Sequence, residues 1–271
     1  MSSAQIKNSF SSIGEVDASL SPSSLILKIA ITNHSVRYFV LSQTHHQIIF
    51  LGDYTLHHVT NFDELAAALE KIFQKDEILK LSFAKILIGF DDKYSLVPAE
   101  FSDLLKKSKQ LSTRCVDTDI VFENSLQVME TLKNFFSCVE FLHLNSTYFN
   151  LLPNYLTDSS EKLFVNVSKN YLDVIRFNEQ KKLQLMNRYE YQTASDFIYF
   201  VLLCCEELKI DRKNVELVLS GEIDIQSKVY DVCYRYFRSI SFIKKPDNLH
   251  FSKAFEMYPK HLHFNLYNIS A

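Results

Sequence analysis

One succession of hydrophobic patterns runs twice through this chain, and no other feature restricts its fold as strongly. Three apolar runs, residues 24–32, 36–42 and 47–54, are separated by short polar turns around Asn33-His34 and Thr44-His45-His46, which spells an antiparallel meander. Thr60-Asn61-Phe62-Asp63-Glu64 is a helix-start signature, and Phe62, Leu65, Ala66, Leu69, Ile72 and Phe73 follow on one stripe of helical period. Residues 84–89 read as a buried strand ended by Gly89, a parallel return through a helical crossover. Val97-Pro98 opens a second helix through Leu111, because proline is best tolerated in a first turn. Residues 119–123 form another strand, and Asn124 or Ser125 caps a helix carrying Leu126, Met129, Leu132 and Phe136. A short strand at 139–144 and a short helix at 146–156, interrupted by Pro153, lead to the turn-like cluster Thr157-Asp158-Ser159-Ser160.

The order then restarts: strands at 163–168, 172–177 and 182–189, a helix at 194–208 and a strand at 215–220 ended by Gly221. A helix at 225–237 and a strand at 239–243 complete the second copy. Asn33 and Asn170 mark the first turns, Tyr54 and Tyr191 the ends of the third strands, Asp63 and Asp196 the first helical turns, and Gly89 and Gly221 the ends of the fourth strands. The expected organisation is α/β: a mobile N-terminal arm at 1–21, a first lobe at 22–145, a connecting helix and linker at 146–160, and a second lobe at 161–271. Each lobe is expected to be a five-stranded mixed sheet flanked by helices, the lobes facing each other across a cleft.

Composition narrows the chemistry. Only 4 of 271 residues are glycine, against a usual share of about 7%, so phosphate-cradling loops have little to draw on. The formal charge of -3 attracts neither nucleic acid nor anionic membrane. No apolar run approaches the ~20 residues of a spanning helix, and Met1-Ser2-Ser3-Ala4-Gln5 lacks the basic and apolar regions of a signal peptide. A cytoplasmic protein is expected. Its five cysteines (Cys115, Cys138, Cys204, Cys205 and Cys233) contain no C-x-x-C pair and are expected to be free thiols. The adjacent pairs His45-His46 and His57-His58 point to opposite strand faces, and His261-Leu262-His263 has no Cys or carboxylate partner at ligand spacing, so no metal is expected.

Ser95-Leu96-Val97-Pro98-Ala99-Glu100-Phe101, Met186-Asn187-Arg188-Tyr189-Glu190-Tyr191 leading into Asp196-Phe197-Ile198-Tyr199-Phe200, and Leu217-Val218-Leu219-Ser220-Gly221 carry a family resemblance. Across residues 22–270 the chain resembles the bacterial family catalogued as domain of unknown function 3822, whose members are similar to actin-like ATPases. The resemblance implies two tandem ribonuclease-H-like lobes and brings no established activity. It also implies where a nucleotide would sit, at turns combining an acidic residue with glycine. Here those turns are Thr32-Asn33-His34-Ser35 and Ser168-Lys169-Asn170-Tyr171, with neither Asp nor Gly, and only Ser220-Gly221-Glu222 keeps a glycine. The candidate ligand positions are therefore Asn33, His34, Lys169, Asn170, Ser220 and Gly221, with no catalytic residue and no cofactor.

The expected function is a non-catalytic, actin-like scaffold or adaptor that works through contacts with a partner protein the sequence does not name. The alternative is a protein that binds a nucleotide or other phosphorylated ligand, or hydrolyses ATP weakly, in the cleft. On the helix at 225–237, Val229, Val232, Cys233 and Tyr236 read as the inward stripe, leaving Tyr230, Tyr234 and Arg238 as the candidate protein contact.

Overall fold

The computed structural model describes residues 9–17, 20–57, 59–101, 111–115, 118–123, 125–156 and 161–270. Two units separate by their internal contacts: Met1–Thr147 with Asp247–Met257 and Asn265–Ala271, and Tyr148–Pro246 with Tyr258–Phe264.

The first unit opens with β1 (Ser9–Gly14), β2 (Leu25–Ile31), β3 (Ser35–Ser42) and β4 (Gln47–Thr55). α1 (Phe62–Lys75) follows, its start held by Asn61, whose side chain accepts from the Glu64 N–H. Leu65, Ala66, Ala68, Leu69, Ile72 and Phe73 are the buried face of α1, whereas Phe62, in the first turn, is exposed. β5 (Lys85–Phe90), β6 (Tyr94–Pro98), β7 (Leu111–Arg114), β8 (Thr118–Phe122), α2 (Leu126–Phe135) and β9 (Glu140–His143) continue the chain. The main sheet has the order β1-β4-β3-β2-β5-β9, and the two-residue strand His250–Phe251 adds parallel to β4, for seven strands in all.

α3 (Ser146–Leu151) runs into a single 3-10 turn, Leu152–Tyr155, as Pro153 requires. The second unit holds β10 (Lys162–Val167), β11 (Tyr171–Phe177), β12 (Leu183–Glu190), α4 (Ala194–Glu207), β13 (Glu216–Gly221), α5 (Lys228–Tyr236) and β14 (Ser239–Phe242). Its order is β12-β11-β10-β13-β14. β10–β11 and β11–β12 are antiparallel, β10–β13 and β13–β14 parallel. Strands β4-β3-β2-β5-β9 have the same order and the same directions. A helix lies between β4 and β5 in the first sheet and between β12 and β13 in the second, α1 and α4, each with a buried apolar face that joins the core of its own unit.

The first sheet departs from five strands for identifiable reasons. Residues 9–14, read as part of an arm, pair along β4, where extended Ser-rich backbone satisfies an otherwise open edge. Val97-Pro98 ends strand β6 instead of opening a helix: among the described residues β6 pairs only with β8, and an edge strand tolerates the missing N–H of proline. Residues 99–101 form a 3-10 turn and Leu111, the expected helix end, opens β7; residues 102–110 lie outside the described residues, as does the 157–160 linker. Residues 119–123 belong to a separate three-stranded sheet, β6-β8-β7, so β9 is the strand that extends β5. The end of the chain groups with the first unit: Tyr267 is fully buried edge-on to Phe39 and Phe251, and Ile269 packs so close to Gly89 that a Cβ there would lie 2.7 Å from its Cδ1.

Lys28 on β2 is buried and donates from Nζ to the Tyr267 carbonyl at 2.7 Å. Burial, and secondarily the charge of Lys85, lowers its pKa from 10.5 to about 8. Between these values the unfolded chain holds a proton that the folded chain has released, so stability is expected to rise with pH from about 8 to 10.5, by roughly 3 kcal/mol. Denaturant titrations across that window check this, since Lys28→Met should flatten the rise relative to wild type.

Candidate functional site

The two strand turns that would carry phosphate chemistry have one geometry. The Thr32 N–H donates to the Ser35 carbonyl at 2.9 Å and the Ser168 N–H to the Tyr171 carbonyl at 2.9 Å. Behind them the Leu56 N–H donates to the His34 carbonyl at 2.7 Å and the Tyr191 N–H to the Asn170 carbonyl at 3.0 Å. These bonds align Thr32 with Ser168, Asn33 with Lys169, and His34 with Asn170, one residue away from the alignment that pairs the two asparagines. By the same registers Tyr54 corresponds to Tyr189, since Tyr54 faces Val36 and Tyr189 faces Leu172. Glu64 corresponds to Asp196: each donates its N–H to the side chain of the residue three positions before it, the helix caps Asn61 and Thr193. Gly221 aligns with Phe90, and Gly89 with Ser220.

The first turn is closed by its own side chain. Thr32 Oγ1 accepts from the N–H groups of His34 at 3.1 Å and Ser35 at 2.9 Å, so two of the donors a phosphate would need are already used. Asn33 and His34 are exposed above it. In the second turn the Tyr191 hydroxyl donates to the Ser168 carbonyl at 2.7 Å, and Lys169 and Asn170 point outward.

Lys169 and Asn170 line an open pocket of about 830 Å³ together with Glu190, Tyr191, Gln192, Asp196, Tyr199 and Phe200. Asp196 completes a capping box with Thr193, and the backbone N–H bonds from Thr193 and Gln192 hold its carboxyl below the usual range. Burial first, and then the charge of Glu222, pushes the Tyr191 hydroxyl up. Tyr199 is 59% exposed at the pocket, its ring edge-on to Phe200 at 5.3 Å. The contributions of Glu190, Asp196 and Tyr199 were not found from sequence; the Thr193-x-x-Asp196 cap was the available signal, because it fixes which face of α4 starts beside the turn.

Ser220 and Gly221 do not join that pocket lining. Ser220 is buried and donates to Asn166 Oδ1 at 3.3 Å, the end of a polar chain across the sheet. Asn166 contacts Asp173 Oδ2 at 3.5 Å, and Asp173 is held by Arg188 through Nε at 2.7 Å and Nη2 at 2.9 Å. Gly221 has φ +85°, and a Cβ there would lie 2.2 Å from the Val167 carbonyl oxygen, so its role is conformational. His261 and His263 lie in a turn, not on a strand face: His263 has φ 55°, and His261 Nε2 donates to the Ile223 carbonyl at 2.8 Å while its ring stacks on Phe242 at 4.1 Å. Burial lowers the His261 pKa. Among the described residues no three His, Cys, Asp or Glu side chains gather in a metal-binding group, and no helix is long and apolar enough to cross a membrane.

On α5 the inward stripe is shifted. Cys233 is buried, with burial pushing its thiol up to about 12, and Tyr230 is half-buried, stacked on Phe242 at 5.7 Å. Tyr236, expected inward, is exposed, while the next residue, the helix cap Phe237, is buried. Tyr234 is 71% exposed and Arg238 is exposed beyond the helix end. Of the candidate contact residues, Tyr234 and Arg238 are thus available at the surface and Tyr230 is largely committed to packing.

A family model described as Protein of unknown function (DUF3822) matches residues 18–240. Among curated proteins none matches the chain. A crystal structure from Bacteroides thetaiotaomicron VPI-5482, described as a protein with actin-like ATPase fold and unknown function, is similar at TM-score 0.71 and 16% identity, covering 82% of this chain and 91% of that one. The PilM-PilN type IV pilus biogenesis complex contains a chain similar at TM-score 0.56 and 9% identity, covering 91% of this chain and 99% of that one. The fold is that of the actin-like ATPases.

Proposed function

The chain belongs to the family described as Protein of unknown function (DUF3822), and from that membership and its fold we propose that it is a non-catalytic scaffold or adaptor working through protein contacts. The observation that carries this reading is the Thr32–Ser35 turn: it has neither Asp nor Gly, and its side chain occupies the His34 and Ser35 N–H groups. A phosphate cradle needs those groups unspent and an acidic residue to hold the metal-bound water. The second turn puts Lys169 and Asn170 where a cradle would need glycine-like access. The internal likeness of the two sheets supports a duplicated actin-like unit retained as a framework. A similar fold in the PilM-PilN complex supports protein contact as its mode of work, although fold alone does not confer function. Tyr234 and Arg238 are assigned to the contact surface because exposed Tyr and Arg are enriched where proteins bind.

Purified protein with Mg-ATP is expected to give no turnover that a change in either turn removes. Saturable hydrolysis abolished by Asn33→Ala or Asn170→Ala would replace this reading with the enzymatic alternative. In capture experiments from native lysate, Tyr234→Ala with Arg238→Ala should lose a protein that the wild type retains.

A further inference from the structure

The two sheets differ at one edge. β4 carries β1 from Ser9 opposite Thr55 to Gly14 opposite Phe50, and the ring of Phe10 lies 4.4 Å from that of Tyr54. The corresponding strand, β12, has β11 on one side and, among the described residues, no strand on the other. Such an edge presents main-chain groups with which an extended segment can pair. Proteins usually guard such edges with Pro, Lys or a bulge. β12 reads Leu-Gln-Leu-Met-Asn-Arg-Tyr-Glu, without Pro or Lys, and its one irregularity, at Arg176/Phe177 of β11, faces only its first residues.

The pocket sits at the end of this same strand. With Glu64 aligned to Asp196, α1 has Ala67 and Ala68 where α4 has Tyr199 and Phe200, so the second unit alone builds an aromatic wall there. A segment bound to β12 as β1 is bound to β4 would have its N-terminal end beside Glu190, because Ser9 faces Thr55 and Thr55 corresponds to Glu190. The pocket offers two carboxylates, Glu190 and Asp196, against one cation, Lys169, beside the exposed Tyr199 ring. A basic side chain suits that lining, since its stem packs on the ring and its charge meets the carboxylates.

We propose that β12 is a strand-addition site for an extended segment of a partner protein, which pairs antiparallel in the register β1 takes on β4 and places a basic side chain from its N-terminal end in the pocket of Glu190, Asp196 and Tyr199. This rests on the protein-contact reading and names the surface and the chemistry of the contact.

The test uses the full chain and a labelled peptide, Arg-Ser-Phe-Ser-Ser-Ile-Gly, the β1 sequence led by an arginine. Saturable binding by fluorescence anisotropy is expected, with slowed hydrogen exchange in β12 and unchanged exchange in β4. N-methylation of the alternate peptide residues that face β12 should abolish binding, and methylation of the others should preserve it. Replacing the leading arginine by glutamate should weaken binding at least about threefold, the scale of an exposed ion pair, and Glu190→Lys should reverse that order. Absence of saturable binding, protection appearing in β4 instead, or indifference to which residues are methylated would overturn the proposal. If the peptide fails while Tyr234→Ala with Arg238→Ala still loses a captured protein, the strand-addition site falls and the protein-contact reading stands. ATP turnover removed by Asn170→Ala would overturn that reading whatever the peptide does.

Discussion

Asp173→Ala is expected to destabilise the second unit by about 3–5 kcal/mol, the cost of leaving one member of a buried ion pair uncompensated. The Asp173 side chain is 0% exposed and takes two bonds from Arg188, so its loss strands a guanidinium that also lies 3.9 Å over the Tyr171 ring. The corresponding positions in the first unit carry the same pair with the residues exchanged: Arg37 on β3 and Asp53 on β4, at 3.1 Å. There the side chains are 23% and 25% exposed, and the same truncation of Asp53 should cost about 1 kcal/mol or less. Urea unfolding followed by circular dichroism measures both; a cost for Asp173→Ala no greater than for Asp53→Ala would show that burial does not set the difference. Asp173→Leu with Arg188→Met should recover most of the loss, since replacing both charges by apolar groups is often close to neutral. Asp173→Arg with Arg188→Asp, which copies the orientation of the first unit, should recover part of it.

Phe197→Ala should cost about 3–5 kcal/mol, the usual range for deleting a fully buried phenyl ring. Phe197 begins the inward face of α4, has no exposed surface, and stands edge-on to Tyr191 at 5.3 Å within a core that includes Val201, Cys204 and Cys205. Leu208, the helix cap, is only half-buried, so Leu208→Ala should cost visibly less. A denaturation shift below about 1 kcal/mol for Phe197→Ala would mean that the core closes over the lost ring.

Much of the fold could be read along the chain because it depends on local chemistry. Alternating apolar runs, the Asn61 and Thr193 caps and the helical stripes all act within a few residues, and they yield the strand order shared by the two sheets. Register was less legible. Matching Asn33 to Asn170 and Asp63 to Asp196 uses residue identity, whereas backbone bonds align His34 with Asn170 and Glu64 with Asp196. A turn closes by main-chain geometry, and the side chains above it are free to differ.

The candidate site divides in the same way. Lys169 and Asn170 were found because the family resemblance implies phosphate chemistry at their turn, where they stand in place of the expected Asp and Gly. Glu190, Tyr199 and Phe200 were not, because they reach the pocket only when α4 packs beside that turn. Tyr230 and Tyr236 depart from their expected faces for a related reason: Phe242, a residue of the neighbouring strand, offers Tyr230 a ring to stack on, and Phe237, not Tyr236, is the buried aromatic at the helix end.

By itself the sequence determined that the chain is an α/β protein with one strand order used twice, and that its turns lack the acidic and glycine residues of nucleotide chemistry. Periodicity and capping carry the first without reference to distant residues, and the family resemblance, which says which turns to read, carries the second. Only the tertiary structure decided which edges are covered, which polar residues are buried together, and where the chain ends pack. β1 closes β4, Tyr267 packs edge-on to Phe39 and Phe251, and Arg188, Asp173, Asn166 and Ser220 meet across four strands. Each depends on pairing between segments far apart in the chain, where the free energy comes from burial and from satisfying main-chain and charged groups rather than from any local preference.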